Sequence, residues 1–167
     1  RLDARLAYAV MGVQAMKAVE IGLGRDCASR PGSQVHDPIR FDPAQTNSHT
    51  LGFTRDTNNA GGTEGGITNG QPVVVKATMK PISTLLRGLP SVDLNTKQPD
   101  MSQYERSDIC AVSAASVVVE NVVAFEIARA ISEKFPSDSM PELRTAFENY
   151  LKLARTLPLE PPSMTLA

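Results

Sequence analysis

Hydrophobic residues recur with helical spacing near both ends of the chain. Residues 1–11 have apolar positions at i, i+4, i+7 and i+8, which predicts an amphipathic helix that starts without a capping residue. Residues 143–154 form a second apolar stripe, and Ser139 with Glu142 makes an S-x-x-E capping box in front of it. This last helix is expected to end before Pro158. The apolar positions are Leu2, Leu6, Ala9 and Val10 in the first segment and Leu143, Phe147, Tyr150, Leu151 and Ala154 in the second.

Two other patterns predict a strand and a buried helix. Residues 73–80 alternate between an apolar and a mostly polar side, which indicates a half-buried strand that ends at Pro81. Residues 117–131 are nearly all apolar, and their polar interruptions point in different directions around a helix. Such a helix is expected to be buried all round. It could instead form an oligomer contact, and the sequence does not separate the two.

Residues 22–60 lack sustained periodicity and are rich in Gly, Pro, Asp, Asn and Ser. Structureless segments of this length are usually lids, binding loops or disordered regions. The sequence is compatible with two interpretations: a solvated mobile loop, or a lid that becomes ordered when a ligand binds. The segment carries Arg25, Arg30, Arg40 and Arg55.

Composition limits the classes of function. The 167 residues, one domain by length, have a net charge of −1 and 5% aromatic residues, so a basic groove for nucleic acid is not expected. No apolar span of about 18 residues and no signal peptide occur, which favours a cytoplasmic protein without membrane insertion. Cys27 and Cys110 lack C-x-x-C spacing, and Cys110 is in an apolar stretch expected to be a strand. A buried, reduced Cys110 and no metal site are therefore expected.

The run GGTEGGITNGQP, residues 61–72, has two Gly-Gly pairs around one acidic residue. Glycine permits positive φ and lets the main chain approach a phosphate or a flat ring. The spacing is not the G-x-G-x-x-G of a dinucleotide-binding turn, and Ile67 stands where a P-loop needs Lys. The alternative is a glycine-rich hairpin connection that leads into a type I′ turn at Asn69 and Gly70.

Two further motifs bring charges and hydroxyls together. The KPIST motif puts Lys80, Ser83 and Thr84 at the end of the predicted strand, and these groups suit an anion. If the ERSDICAV segment is extended, Arg106 and Asp108 lie on one face. Each motif alone is also typical of a solvated turn or an exposed ion pair. In a closed pocket, however, Asp108 would have a shifted pKa and could move a proton.

From near its first residue to about residue 135, the chain resembles the chorismate synthase family, because four motifs occur in that family's order. The motifs are VQAMKAVEIG, NNAGGTEGGITNGQP, KPIST and RSDICAV. The resemblance implies an α+β fold, part of a β-α-β sandwich in which helices are layered between antiparallel sheets. It also implies that residues 1–157 are the C-terminal portion of such a domain, with a flexible active-site loop at 22–60. Residues 158–167 are then a Pro-rich tail.

The resemblance implies the family's activity, the 1,4-anti-elimination of phosphate from 5-enolpyruvylshikimate 3-phosphate to give chorismate. The family requires reduced FMN without net oxidation, serves aromatic amino acid biosynthesis in the shikimate pathway, and is usually a cytoplasmic homotetramer. Asp108 matches the aspartate near flavin N5 and is the expected catalytic residue. The family's flavin contacts match Gln14, Ala15, Gly65, Lys80, Pro81, Ile82, Ser83, Thr84 and Arg106.

The chain also departs from the family pattern. Ala18 replaces a glycine and Ser113 replaces a proline, and both changes are mild. The family's two catalytic histidines and most of its phosphate-binding arginines belong to an N-terminal half not seen here, and His36 and His49 are not those histidines. We therefore expect the C-terminal portion of a longer enzyme, inactive by itself.

Two other classes of function stay open. One is a non-catalytic module that binds flavin or phosphate, and the other is a structural domain that oligomerises through its apolar helix.

Overall fold

The computed structural model describes residues 1–105 and 109–156. The helices are α1 Leu2–Met11, α2 Val112–Lys134 and α3 Met140–Ala154. The strands are β1 Met16–Ile21, β2 Ile39–Phe41, β3 Phe53–Arg55, β4 Thr63–Glu64, β5 Ile67–Thr68, β6 Val75–Met79, β7 Pro90–Val92 and β8 Pro99–Met101. Within the described ranges they pair antiparallel as β1–β6, β2–β3, β4–β5 and β7–β8. The fold class is α+β, as expected.

The core lies between α1 and the β1–β6 ribbon. Leu6 and Val10, two members of the predicted apolar stripe, are fully buried on α1. Met16, the first residue of β1, is 7% exposed and continues this core. β6 confirms the predicted strand, although it starts at Val75 rather than at residue 73. The apolar face of α1 is therefore covered by the ribbon, whereas the apolar side of β6 (Val75, Ala77 and Met79) faces the first turns of α2.

Helix α2 spans the predicted residues 117–131 but is far more exposed than expected. None of its described residues is buried, and the Phe125 side chain is 68% exposed. On one side the helix packs against α1, where the Arg5 guanidinium donates hydrogen bonds to Glu126 and Glu133. The prediction of burial all round is therefore wrong for this chain. An apolar helix surface needs a cover, but the pattern does not say which polypeptide supplies it.

Helix α3 begins after Ser139 and ends at Ala154, as predicted. Its capping box forms only in part. The Glu142 carboxylate accepts the backbone N–H of Asp138 at 3.0 Å, whereas the Ser139 side chain makes no cap hydrogen bond. The glutamate thus reaches one residue further back than a capping box requires.

Residues 22–60 are not structureless. They contain short 3-10 helices at Gly24–Ser29, Gly32–Gln34 and Pro43–Gln45, and the β2–β3 hairpin with its Phe41 and Phe53 rings 5.4 Å apart. Elements of three to six residues are too short to produce a periodic pattern, so the sequence did not reveal them. The expected ordering of this segment by a ligand stays a prediction.

Cys110 is exposed, and the prediction that it is buried in a strand is wrong. It lies in the connection just before α2. The apolar run after it belongs to the helix, which begins at Val112, so the hydrophobicity indicated a helix rather than a strand. Cys27 is exposed as well.

Candidate functional site

The segments that precede β1 and follow β6 meet at one corner of the ribbon, which we call the Ala15–Lys80 corner. Gln14 and Ala15 form the turn between α1 and β1. The backbone N–H of Lys80 donates to the carbonyl of Ala15 at 2.9 Å, beside the Met16–Met79 pair. Two segments that the sequence assigns to flavin binding are therefore neighbours in space.

Ala15 has an unusual backbone conformation. Its φ is +66°, in the left-handed region that residues with a Cβ avoid at a cost of about 1–2 kcal/mol. The hydrogen bond from Lys80 and the adjoining strand hold this conformation. Outliers of this kind concentrate at ligand-binding positions, which agrees with the predicted role of the turn.

The KPIST motif leaves the ribbon as an irregular segment with polar groups open to solvent. Lys80, Pro81 and Ser83 are exposed, whereas Ile82 and Thr84 are half-buried. An exposed ammonium and hydroxyl can approach an anion without losing a buried partner. The residue types and their exposure fit a phosphate-bearing ligand at this corner.

The first glycine pair is packed inside the chain. Gly61 is buried, and a Cβ there would lie 2.3 Å from the backbone nitrogen of Gly22. Its carbonyl accepts the N–H of Val74 at 3.1 Å, so the glycine loop extends the edge of the ribbon. A Cβ on Gly62 would meet the carbonyl of Pro72 at 2.4 Å. These glycines are needed for close main-chain packing and are not open to a ligand.

The second glycine pair forms the turn of the β4–β5 hairpin. Gly65 and Gly66 have φ values of +60° and +85°, as the central residues of a type I′ turn require. The prediction of a type I′ turn at the next site is wrong, because Asn69 does not have positive φ there although Gly70 does. The Asn69 side-chain oxygen instead accepts the backbone N–H of Gln71, two residues further on.

Gly65 differs from the other glycines of this loop because it is exposed. A Cβ built on it would meet nothing within 4 Å, whereas one on Gly66 would lie 2.6 Å from the Arg1 side chain. A flat ligand could therefore lie against the main chain at Gly65. This is the position that the sequence assigns to a flavin contact.

The glycine hairpin and the Ala15–Lys80 corner lie at opposite ends of α1. The carbonyl of Gly66 accepts the N–H of Leu2 at the start of the helix, while Ala15 follows its end. Ten helical residues span about 15 Å. Within one copy of the chain the two sets of predicted contacts are therefore not adjacent.

An apolar groove of about 440 Å³ opens between the ribbon and the first turns of α2. Met16 and Met79 line it on the ribbon, and Val112 and Ser116 line it on the helix. The start of α2 thus borders the strand ends that form the Ala15–Lys80 corner.

Arg106 and Asp108, the expected last flavin contact and catalytic residue, lie outside the described residues, as does the tail at 158–167. Across residues 1–105 and 109–156, no group of three or more His, Cys, Asp or Glu could hold a metal ion. In the same ranges, no helix has the length and apolar character that a membrane crossing requires.

A buried carboxylate supports the glycine loop. Asp37, 9% exposed, accepts the Thr57 hydroxyl at 2.5 Å and the backbone N–H groups of Asn59 and Ala60 at 2.8 and 2.9 Å. Burial alone would raise the pKa of this carboxyl. The three hydrogen bonds and the charge of Arg55 outweigh burial, so the pKa lies below its ordinary value.

Arg55 connects this carboxylate region to the hairpin. Its guanidinium donates to the carbonyl of Asp37 at 3.4 Å and lies 2.7 Å from the Glu64 carboxylate. The Arg55 side chain is 12% exposed, so this ion pair is largely shielded from water on one side. Glu64 also accepts the Asn69 amide at 2.8 Å. The acidic residue between the two glycine pairs therefore has a structural partner on each side.

The family model of chorismate synthase matches residues 1–132 of the chain. The chain belongs to the chorismate synthase family. The chorismate synthase of Geobacter sulfurreducens is 58% identical over 93% of this chain and 40% of its own length. That of Thermoanaerobacter pseudethanolicus is 55% identical over 90% of this chain and 41% of its own length. A crystal structure of chorismate synthase, 43% identical, matches with a TM-score of 0.71 over 93% of this chain and 37% of its own.

The chain thus spans about 40% of the length of the curated chorismate synthases that it matches. Its two departures from the family motifs lie in regular structure. Ala18 is paired with Thr78 beside a bulge in β1, where the family's glycine would also fit. Ser113 lies in the first turn of α2, where the backbone would also tolerate a proline.

Sequence reasoning missed Asp37 and noted Arg55 only as one of several arginines in an irregular segment. A carboxylate that binds backbone N–H groups needs no particular partner side chain, so it leaves no motif. The available signal was weak: an Asp before a proline in a segment rich in turn residues.

Proposed function

We propose that a protein containing this chain catalyses the elimination of phosphate from 5-enolpyruvylshikimate 3-phosphate to give chorismate, and that this chain supplies part of its site for reduced FMN. Family membership supports the activity. The observation that carries the flavin proposal is the hydrogen bond between Lys80 and Ala15, which joins two motif segments at one exposed corner. Because the chain spans about 40% of its relatives, the complete reaction belongs to a larger polypeptide.

The residues of the corner have simple roles in this proposal. In the elimination, the C–O bond to phosphate breaks and a proton leaves the ring, with no net oxidation. When bound, reduced flavin would supply electron density as that bond breaks. The Lys80 ammonium and the Ser83 hydroxyl would bind anionic oxygens. Arg106 would be a further flavin contact, and Asp108 would hold or move a proton near N5.

The proposal places the enzyme in the cytoplasm as a homotetramer, as the family resemblance implies. The separation of Gly65 from the Ala15–Lys80 corner is compatible with such an assembly, because the two sets of contacts can belong to different copies. The exposed apolar side of α2 supports contact with further polypeptide.

An anaerobic titration of the 167-residue chain with reduced FMN tests the flavin proposal. We expect weak binding and no chorismate formation. Lys80→Met should weaken FMN binding about tenfold or more. A hydrogen bond to a charged group contributes about 1.5–3 kcal/mol, and about 1.4 kcal/mol corresponds to a tenfold change in affinity. Lys76→Met is the matched control, because Lys76 is an exposed lysine on β6, the strand that Lys80 directly follows. Equal effects of the two variants would contradict the proposal.

The same titration separates the classes of function. If the chain binds FMN and a complete family protein catalyses the elimination, the enzyme assignment is supported. If both bind FMN and neither catalyses the elimination, a non-catalytic module is supported. No binding by either favours a structural assembly domain. In the complete protein, Asp108→Ala should lower kcat far more than FMN affinity. Loss of FMN binding with kcat preserved would show that Asp108 has another role.

A further inference from the structure

We propose that Asp37 is a positioning residue for the glycine hairpin, and that Arg55 extends its action to the hairpin itself. This inference rests on the proposed flavin contact at Gly65. It gives a role in the flavin site to two residues that lie outside the motifs of that site.

The Asp37 carboxylate accepts three hydrogen bonds. One oxygen accepts from Thr57 and Asn59, and the other accepts from Ala60. The carboxylate therefore fixes the main chain directly before the first glycine pair. Charged acceptors make the stronger class of hydrogen bond, so this short stretch is held firmly.

Hydrogen bonds of the Asn58 side chain connect this fixed stretch to both sides of the glycine loop. Asn58, within the fixed stretch, accepts the N–H of Gly62 at 2.9 Å and donates to the carbonyl of Pro72 at 2.9 Å. Both sides of the glycine loop are thereby tied to residues that Asp37 holds. From Gly62 the chain enters β4, and the turn at Gly65 follows after two residues.

An ion pair between Arg55 and Glu64 holds the hairpin directly. Arg55 binds the main-chain carbonyl of Asp37 and the side chain of Glu64, the last residue before the Gly65 turn. The position of the open glycine is thus set by two charged side chains that touch neither Gly65 nor the Ala15–Lys80 corner. A ligand contact made by main chain alone needs such external support, since glycine has no side chain to orient it.

The chain offers a closely matched control. Asp93, in the β7–β8 connection, also accepts one threonine hydroxyl and two backbone N–H groups, from Thr96 and Asn95. Its pKa is lowered as well, chiefly by the backbone and side-chain hydrogen bonds of Thr96. Asp37→Asn and Asp93→Asn therefore remove carboxylates with the same kinds of hydrogen-bond donor from two different parts of the fold.

The experiment records backbone amide spectra and hydrogen exchange of the full chain. Asp37→Asn should speed exchange of the Asn59 and Ala60 amides about tenfold or more and shift the Gly65 and Gly66 resonances. Asp37→Glu should restore part of the protection. Asp93→Asn should leave all four amides as in the wild type. Unchanged resonances of the glycine pair in Asp37→Asn would overturn the proposal.

A measurement on the wild type covers the case in which Asp37→Asn does not fold. The amide shifts of Asn59 and Ala60 should titrate together with a carboxyl pKa below the ordinary value of 3.8. Absence of this titration would also overturn the proposal. Addition of reduced FMN to the wild type and to each variant is a separate measurement. If the wild-type chain does not bind FMN, the proposed flavin contact is wrong. The amide data still decide whether Asp37 positions the hairpin.

Discussion

Alanine substitution at two glycines of the same loop should separate packing from ligand access. Gly61 and Gly65 have nearly equal φ values, +64° and +60°. An alanine at either position costs about 1–2 kcal/mol for the left-handed conformation, and about 0.4–1 kcal/mol of this is offset by the lower entropy of the unfolded chain. Gly65→Ala should therefore destabilise the chain by about 0–1.6 kcal/mol, with a central value near 1 kcal/mol.

Gly61→Ala has an additional cost. The new Cβ would lie 2.3 Å from the nitrogen of Gly22 and 3.1 Å from the carbonyl oxygen of Val74, and both are backbone atoms. Overpacking of this kind costs about 1–3 kcal/mol. We expect a total near 3 kcal/mol, about 2 kcal/mol more than for Gly65→Ala.

Urea unfolding followed by circular dichroism measures this difference. With a urea dependence of about 1–3 kcal/mol per M, a gap of about 2 kcal/mol separates the two midpoints by roughly 1 M. Equal midpoints for the two variants would refute the assignment of Gly61 to packing and Gly65 to an open turn. In a separate titration, Gly65→Val should abolish any FMN contact at the turn by steric hindrance.

Three further outcomes follow from the described contacts. The Asp37 carboxylate stabilises the fold fully above its ordinary pKa of 3.8, and this contribution is lost as the pH falls through the lower folded-state value. The wild type should therefore lose more stability than Asp37→Asn as the pH falls below about 4 in urea unfolding. Arg5→Met should lower the unfolding midpoint by removing the bonds to Glu126 and Glu133, and the gap to the wild type should narrow in high salt; a gap that does not depend on salt would contradict an ionic contribution. Both cysteines are exposed, so iodoacetamide should add two labels to the native chain in mass spectrometry, and fewer labels would contradict that exposure.

The long periodic elements could be predicted from the sequence. Helices α1 and α3 and strand β6 have one apolar face that repeats over enough residues to identify the period. The β2–β3 and β7–β8 hairpins could not be found, because strands of three residues have no measurable period. The exposure of α2 could not be predicted either. An apolar composition indicates that a helix surface packs against other polypeptide, but not whether that polypeptide belongs to the same chain.

The candidate site was predictable where a local motif carries the chemistry. The KPIST motif identified Lys80 and the family resemblance identified Ala15, but neither predicted the hydrogen bond that joins them, because the two residues are far apart along the chain. The sequence identified the glycine pairs, but not that Gly61 is packed while Gly65 is open. This difference depends on which atoms surround each glycine in the folded chain. The support from Asp37 acts on backbone N–H groups and so depends on the folded path alone.

The proposed contact between the Ala15–Lys80 corner and the flavin can be tested residue by residue. The most direct measurement is the change in backbone amide shifts of the isotope-labelled chain when reduced FMN is added without oxygen. We expect shifts concentrated at Gln14, Ala15, Lys80 and Ser83. Shifts confined to other surfaces, such as the β7–β8 hairpin, or no shift at millimolar FMN, would contradict it.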